Sequence, residues 1–102
     1  MKKCKYNLKE KVWIYPGVSA AWHFVYVDKK HSEEIKKNYG KIAKGFGSLP
    51  VKVIIGKTEW NTSIFPDSKN GTYLLPLKSQ VRKKERIFDG DNIKFNVEIL
   101  IQ

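Results

Sequence analysis

The chain has 102 residues, 41% of them hydrophobic and 13% aromatic, and a formal net charge of +10. That length suits one domain, 1–102, able to bury a core without a disulfide or a metal, and the composition excludes a disordered tail. A lone cysteine, Cys4, excludes an intrachain disulfide and a Cys-rich zinc site and fits a reducing compartment. No apolar run of the ~7–15 residues of a signal peptide follows Lys2-Lys3, and none approaches the ~18 residues of a membrane helix. A cytoplasmic protein without membrane association is expected.

Residues 4–15 alternate polar and apolar, then tighten into Val12-Trp13-Ile14, which predicts a strand ended by the Pro16-Gly17 turn. Trp22 to Val27 is aromatic and β-branched throughout, predicting a second strand buried on both faces. Ser32 as N-cap, with Glu33 and Glu34 in the first turn, predicts a short helix over 31–39, with Gly40 as its C-cap. Three glycines make 40–48 a loop. Residues 51–55 and 58–65 read as the third and fourth strands, and Asn70-Gly71 marks the strongest turn signal, over 66–71. Residues 72–77 form a strand with Pro76 near its end, 79–86 a helix capped by Ser79, Asp89-Gly90-Asp91 a turn, and 93–101 the last strand. Six strands and two short helices make the chain mainly β, a pseudo-barrel.

Residues 22–56 run strand, helix, glycine-rich turn, strand, and 72–101 repeat that order. Residues 71–100, GTYLLPLKSQVRKKERIFDGDNIKFNVEIL, resemble the swapped-hairpin motif of AbrB- and MazE-like DNA-binding proteins, in which two chains share one barrel. Two such halves in one chain imply closure within a monomer. Over 61–99 the chain is similar to a small prokaryotic family of unknown function, found also beside a YdeI/OmpD-associated domain. Thr62-Ser63 before Pro66, Leu75-Pro76-Leu77 before Val81-Arg82-Lys83, and Gly90-Asp91 before the final strand carry the likeness. It implies a double-split β-barrel and assigns no activity; the kinship to DNA binders is analogy of fold.

All 20 basic residues except Arg82 and Arg86 are lysines, and they are dispersed. Dispersal favours a solvated lysine surface over a polyanion-binding one. Arg82, Lys83, Lys84 and Arg86 are the candidate contact for an anion or nucleic acid, with Arg82 and Arg86 four apart on one helical face. Set against this, Arg82 pairs with Asp89 or Asp91 across the turn and Lys83 and Lys84 are solvated. Trp60 and Trp22 are candidates for a pocket wall or stacking platform, although tryptophans more often fill a core. Asp89 and Asp91 suit a turn better than a cation site. His23 and His31 lack metal-ligand spacing, Ser63 lacks a nucleophile-elbow context, and the glycines form no phosphate-binding loop. No catalytic, cofactor-binding or metal residue is indicated, and an enzyme is the weaker reading. The expectation is a small non-catalytic binding domain of unknown ligand. The alternatives are a nucleic-acid-binding protein using the basic surface around 79–86, and a protein-interaction module.

Overall fold

Buried side chains alternate with more exposed ones along most strands of this chain. The computed structural model describes residues 4–14, 22–43 and 47–100. Its elements are β1 (Lys5–Lys11), β2 (Trp13–Ile14), β3 (His23–Val27), α1 (Lys29–Tyr39), β4 (Leu49–Ile55), β5 (Thr58–Asp67), β6 (Thr72–Leu77), α2 (Ser79–Glu85) and β7 (Asn92–Ile99). A 3₁₀ turn, Gly40–Ile42, follows α1. All strand pairs are antiparallel, in the order β1-β7-β4-β5-β6-β3-β2. The Pro16-Gly17 turn, Lys2-Lys3, the middle of the 40–48 loop and Ile101 lie outside the described residues.

β1 and β2 stand at opposite ends of that order yet are neighbours in sequence, joined at the buried Val12. The sheet therefore curls until its two ends are one bent strand, and β1 lies against β3. This bend is why seven strands appear where six were expected. The 89–91 turn holds it: Val12 N–H donates to the Asp91 carbonyl (2.8 Å) and Gly90 N–H to the Val12 carbonyl (2.9 Å). Gly90 reaches φ +89, a conformation open to glycine without strain. β5 bends in the same way. Thr58–Ile64 pairs with β4, whereas Phe65–Asp67 pairs with β6.

The internal repeat is larger than sequence order suggested. The chain is two ββαβ units, β1/β2-β3-α1-β4 and β5-β6-α2-β7. Exchanging β1/β2 with β5, β3 with β6, and β4 with β7 leaves the ring of strand neighbours unchanged. Inward side chains form one core, and Tyr6–Val97–Val53–Trp60 runs as a row across four strands, symmetric about the Val97–Val53 pair. Tyr6 is fully buried, and burial with the nearby Glu34 charge pushes its hydroxyl up to about 12.

Three local expectations are corrected. Asp28, not Ser32, caps α1, accepting from His31 N–H at 3.3 Å. Ser32 lies inside the helix, fully buried, where its hydroxyl donates to the Val27 carbonyl (2.8 Å) and accepts from Tyr73 N–H (3.0 Å). Gly40 is the C-cap of α1 as expected, right-handed and donating its N–H to the Lys36 carbonyl before the 3₁₀ turn, whereas Lys78 rather than Ser79 precedes α2, without a side-chain cap bond. β3 is not buried on both faces: His23, Val25 and Val27 point inward, while Phe24 and Tyr26 face outward, half-buried. Those outward rings join a near-parallel stack. Trp22 lies on Phe24 (6.2 Å between centroids), Phe24 on Trp13 (5.1 Å) and Trp13 on Tyr26 (5.1 Å). Among the described residues no helix is long and apolar enough to cross a membrane.

Candidate binding cleft

The bend of β5 creates the site. β6 pairs with β5 only as far as Leu74, so Pro76 and Leu77 diverge from Trp60, Asn61 and Thr62, and Pro76 has no N–H with which to extend the ladder. A cleft of about 460 Å³ opens between these segments, closed on one side by Trp22 and His23 and on the other by Lys78, Ser79 and Arg82 from the start of α2. Its volume is in the range of small-molecule sites, ~300–1,000 Å³. Two cations and no carboxylate line it.

Arg82 is held by a hydrogen bond from Nε to the Leu77 carbonyl (3.1 Å), at the point where β6 ends. Among the described residues no carboxylate pairs with its guanidinium. The expected bridge from Arg82 to Asp89 or Asp91 does not form, because Asp91 Oδ2 accepts Phe88 N–H (2.8 Å) within its own turn. One edge of the guanidinium is thus anchored beside the cleft that Arg82 lines.

A second cleft of about 600 Å³ shares His23 and Arg82 with the first and continues past Lys83, Arg86, Ile87, Phe88 and Asp89. Arg86 does not lie on the α2 face with Arg82. It is the helix C-cap, left-handed at φ +53, and its N–H donates to the Arg82 carbonyl. The structure therefore brings Trp22, Trp60 and Arg82 together in one cleft and Arg82, Lys83 and Arg86 in the next. Lys84 is exposed and lines neither. Sequence reasoning missed His23 as the wall between the clefts, and it missed Lys78 and Phe88. The exposed Phe88 beside Asp89-Gly90 was the one local signal that could have found any of them.

The two ββαβ units can be compared position by position. Trp60 of β5 stands where Tyr6 stands in β1, as the row across the sheet shows. Arg82 lies five residues beyond the end of β6 and Ser32 five beyond the end of β3, and both side chains donate to the last strand carbonyl. In the first unit Tyr6 is sealed under the 11-residue α1, edge-on to His31 (5.7 Å). In the second the 7-residue α2 leaves Trp60 half-exposed. One unit is filled, and its counterpart is open and lined by an arginine.

Among the described residues no group of three or more His, Cys, Asp or Glu side chains is placed to hold a metal ion. Residues 9–97 match a family described as a domain of unknown function, DUF1905. No curated protein matches the chain.

Proposed function

Because the chain belongs to the DUF1905 family, whose description assigns no activity, we propose from the cleft itself that it is a small non-catalytic binding domain for a ligand carrying an anionic group beside a flat ring. The contrast between the two units carries this reading. At matching positions the first unit places Tyr6 and Ser32 in the core, whereas the second turns Trp60 and Arg82 towards an open cleft. A core-building role would be served by the filled arrangement in both. Trp22 and Trp60 supply π-faces and Arg82 a planar donor suited to carboxylate or phosphate oxygens. Cations among apolar walls, with no lining carboxylate, suit retention of an anion better than proton transfer.

The test is quenching of tryptophan fluorescence by adenosine monophosphate, with adenosine and inorganic phosphate as partial ligands. The monophosphate should bind more tightly than either. Arg82→Ser copies the first unit, keeps a hydroxyl for the Leu77 carbonyl, and should weaken binding about ten-fold or more without unfolding the domain. Equal quenching by all three probes, or an unaffected Arg82→Ser variant, would overturn the reading.

A nucleic-acid-binding role around 79–86 is favoured by one further observation: three of its four basic residues line the two joined clefts. The two bent strands and the paired ββαβ units support a double-split β-barrel, with the AbrB-like swapped hairpin repeated within one chain. Both motif copies being present supports a monomer, and the unpaired Cys4 supports the cytoplasm.

A further inference from the structure

The first cleft does not end at Arg82. His23 and Arg82 belong to both clefts, so the two form one groove in which the lining changes from two tryptophans, to an arginine, to an exposed phenyl ring flanked by cations. Phe88 is 66% exposed although its neighbour Ile87 is buried. Its backbone is pinned by N–H donation to Asp91 Oδ2 (2.8 Å) and by acceptance from Asp91 N–H (3.0 Å), so the ring is presented on a fixed turn. Arg86 adopts a left-handed conformation that glycine would take without strain, and does so on the wall of this cleft. Three cations outnumber the single carboxylate, Asp89, along the second cleft.

We propose that this groove binds single-stranded nucleic acid in a two-nucleotide register. One base stacks against Trp22 and Trp60, the phosphate between nucleotides meets Arg82, and the next base lies on Phe88 with its phosphate towards Arg86 and Lys83. This rests on the cleft reading above and adds to it the polymer and the second subsite. Stacking on Trp22, Trp60 and Phe88 needs bases turned out of a helix onto protein rings, which a paired duplex cannot offer.

The experiment compares pA, pApA and their deoxy forms, a four-nucleotide single strand and a duplex of the same sequence, with poly-glutamate as an anion without rings. The wild-type protein should bind pApA about ten-fold or more tightly than pA, the gain one base–aromatic stack provides. Phe88→Ala should return pApA to the affinity of pA. Arg86→Gly, which keeps the turn and deletes the cation, should lower pApA binding and flatten its salt dependence. If pA binds and pApA gains nothing, the two-nucleotide groove is overturned while the cleft reading stands. If neither binds, both fall. A duplex or poly-glutamate that competes as well as the single strand overturns the proposal in favour of a basic surface. Ribose and deoxyribose forms with a common preference for the single strand support it.

Discussion

Glu10 lies on the inward-facing side of β1, half-buried, in line with Tyr6 and Leu8. Burial first, and then the nearby Asp28 charge, raise its carboxyl above the ordinary range. The folded state therefore prefers Glu10 neutral. Its favourable contribution is complete below the unfolded-state pKa and is lost as pH rises through the raised folded-state value. Glu10→Gln should accordingly raise the melting temperature at neutral pH, and the advantage should vanish below about pH 4, where the wild-type group is neutral in both states. Equal melting temperatures at neutral pH would show that the folded state does not disfavour the Glu10 carboxylate. Arg82 illustrates the opposite use of a charge. It keeps the same hydrogen bond to a strand end as Ser32, but carries a cation to a cleft where Ser32 carries only a hydroxyl.

The two helices differ in what fastens them. α1 is hooked to the sheet through Ser32, whose hydroxyl joins the Val27 carbonyl to the Tyr73 N–H and so ties β3, α1 and β6 at one buried point. Ser32→Ala leaves both backbone groups without that partner and should cost about 1–3 kcal/mol by denaturant unfolding. α2 ends on a residue with an unfavourable backbone. Replacing Arg86 by Gly removes a left-handed penalty on the order of 1 kcal/mol, so this variant should unfold at higher denaturant while binding less. A loss of stability would mean that the Arg86 side chain holds the helix end. The helix starts show what sequence reading misses. Glu33 and Glu34 mimic a first turn because acidic residues favour helix N-termini, yet α1 begins a turn earlier, with Lys29 and Lys30 behind the Asp28 cap. The Asp28 carboxylate competed with a serine of equal capping propensity, and only packing of Ser32 against β6 decides between them.

Across the molecule, alternation marked the first and last strands and β-branched or aromatic runs bounded by turn signals marked others, because a pleated, partly buried surface leaves both traces in the sequence. The cleft was less legible. Arg82, Lys83 and Arg86 stood out as a cluster, but their convergence with Trp22 and Trp60 depends on β6 leaving β5 after Leu74. That is a matter of register, which no local pattern reports. Charge is the other property of the whole. Lys9 lies directly opposite Lys94 on the outer face of β1 and β7, whereas Lys52 meets both Glu59 (3.4 Å) and Glu98 (3.8 Å). With 20 cations against 10 acids, self-repulsion works against the compact state. Moderate salt should therefore raise the melting temperature, while weakening any ligand held through phosphates. A melting temperature that falls with salt would mean that attractive pairs dominate instead.

The bent strand at Val12 brings the first and last described segments together. Lys5 pairs with Glu98, and Ile99 N–H donates to the Cys4 carbonyl (2.7 Å). The chain could thus be opened between Gly56 and Lys57, where only a tight hairpin joins the two units, and its original ends linked. Read from the new start, such a circular permutant still runs strand, strand, helix, strand twice over, with the cleft-bearing unit now first. It should fold to the same barrel and keep the groove. A permutant that folds but loses the groove would reveal that the Gly56-Lys57 hairpin, whose neighbour Thr58 bonds Glu85 (2.6 Å), sets the position of α2. Retention would mean that the ring has no privileged starting strand, and that the two units are interchangeable in everything but the cleft.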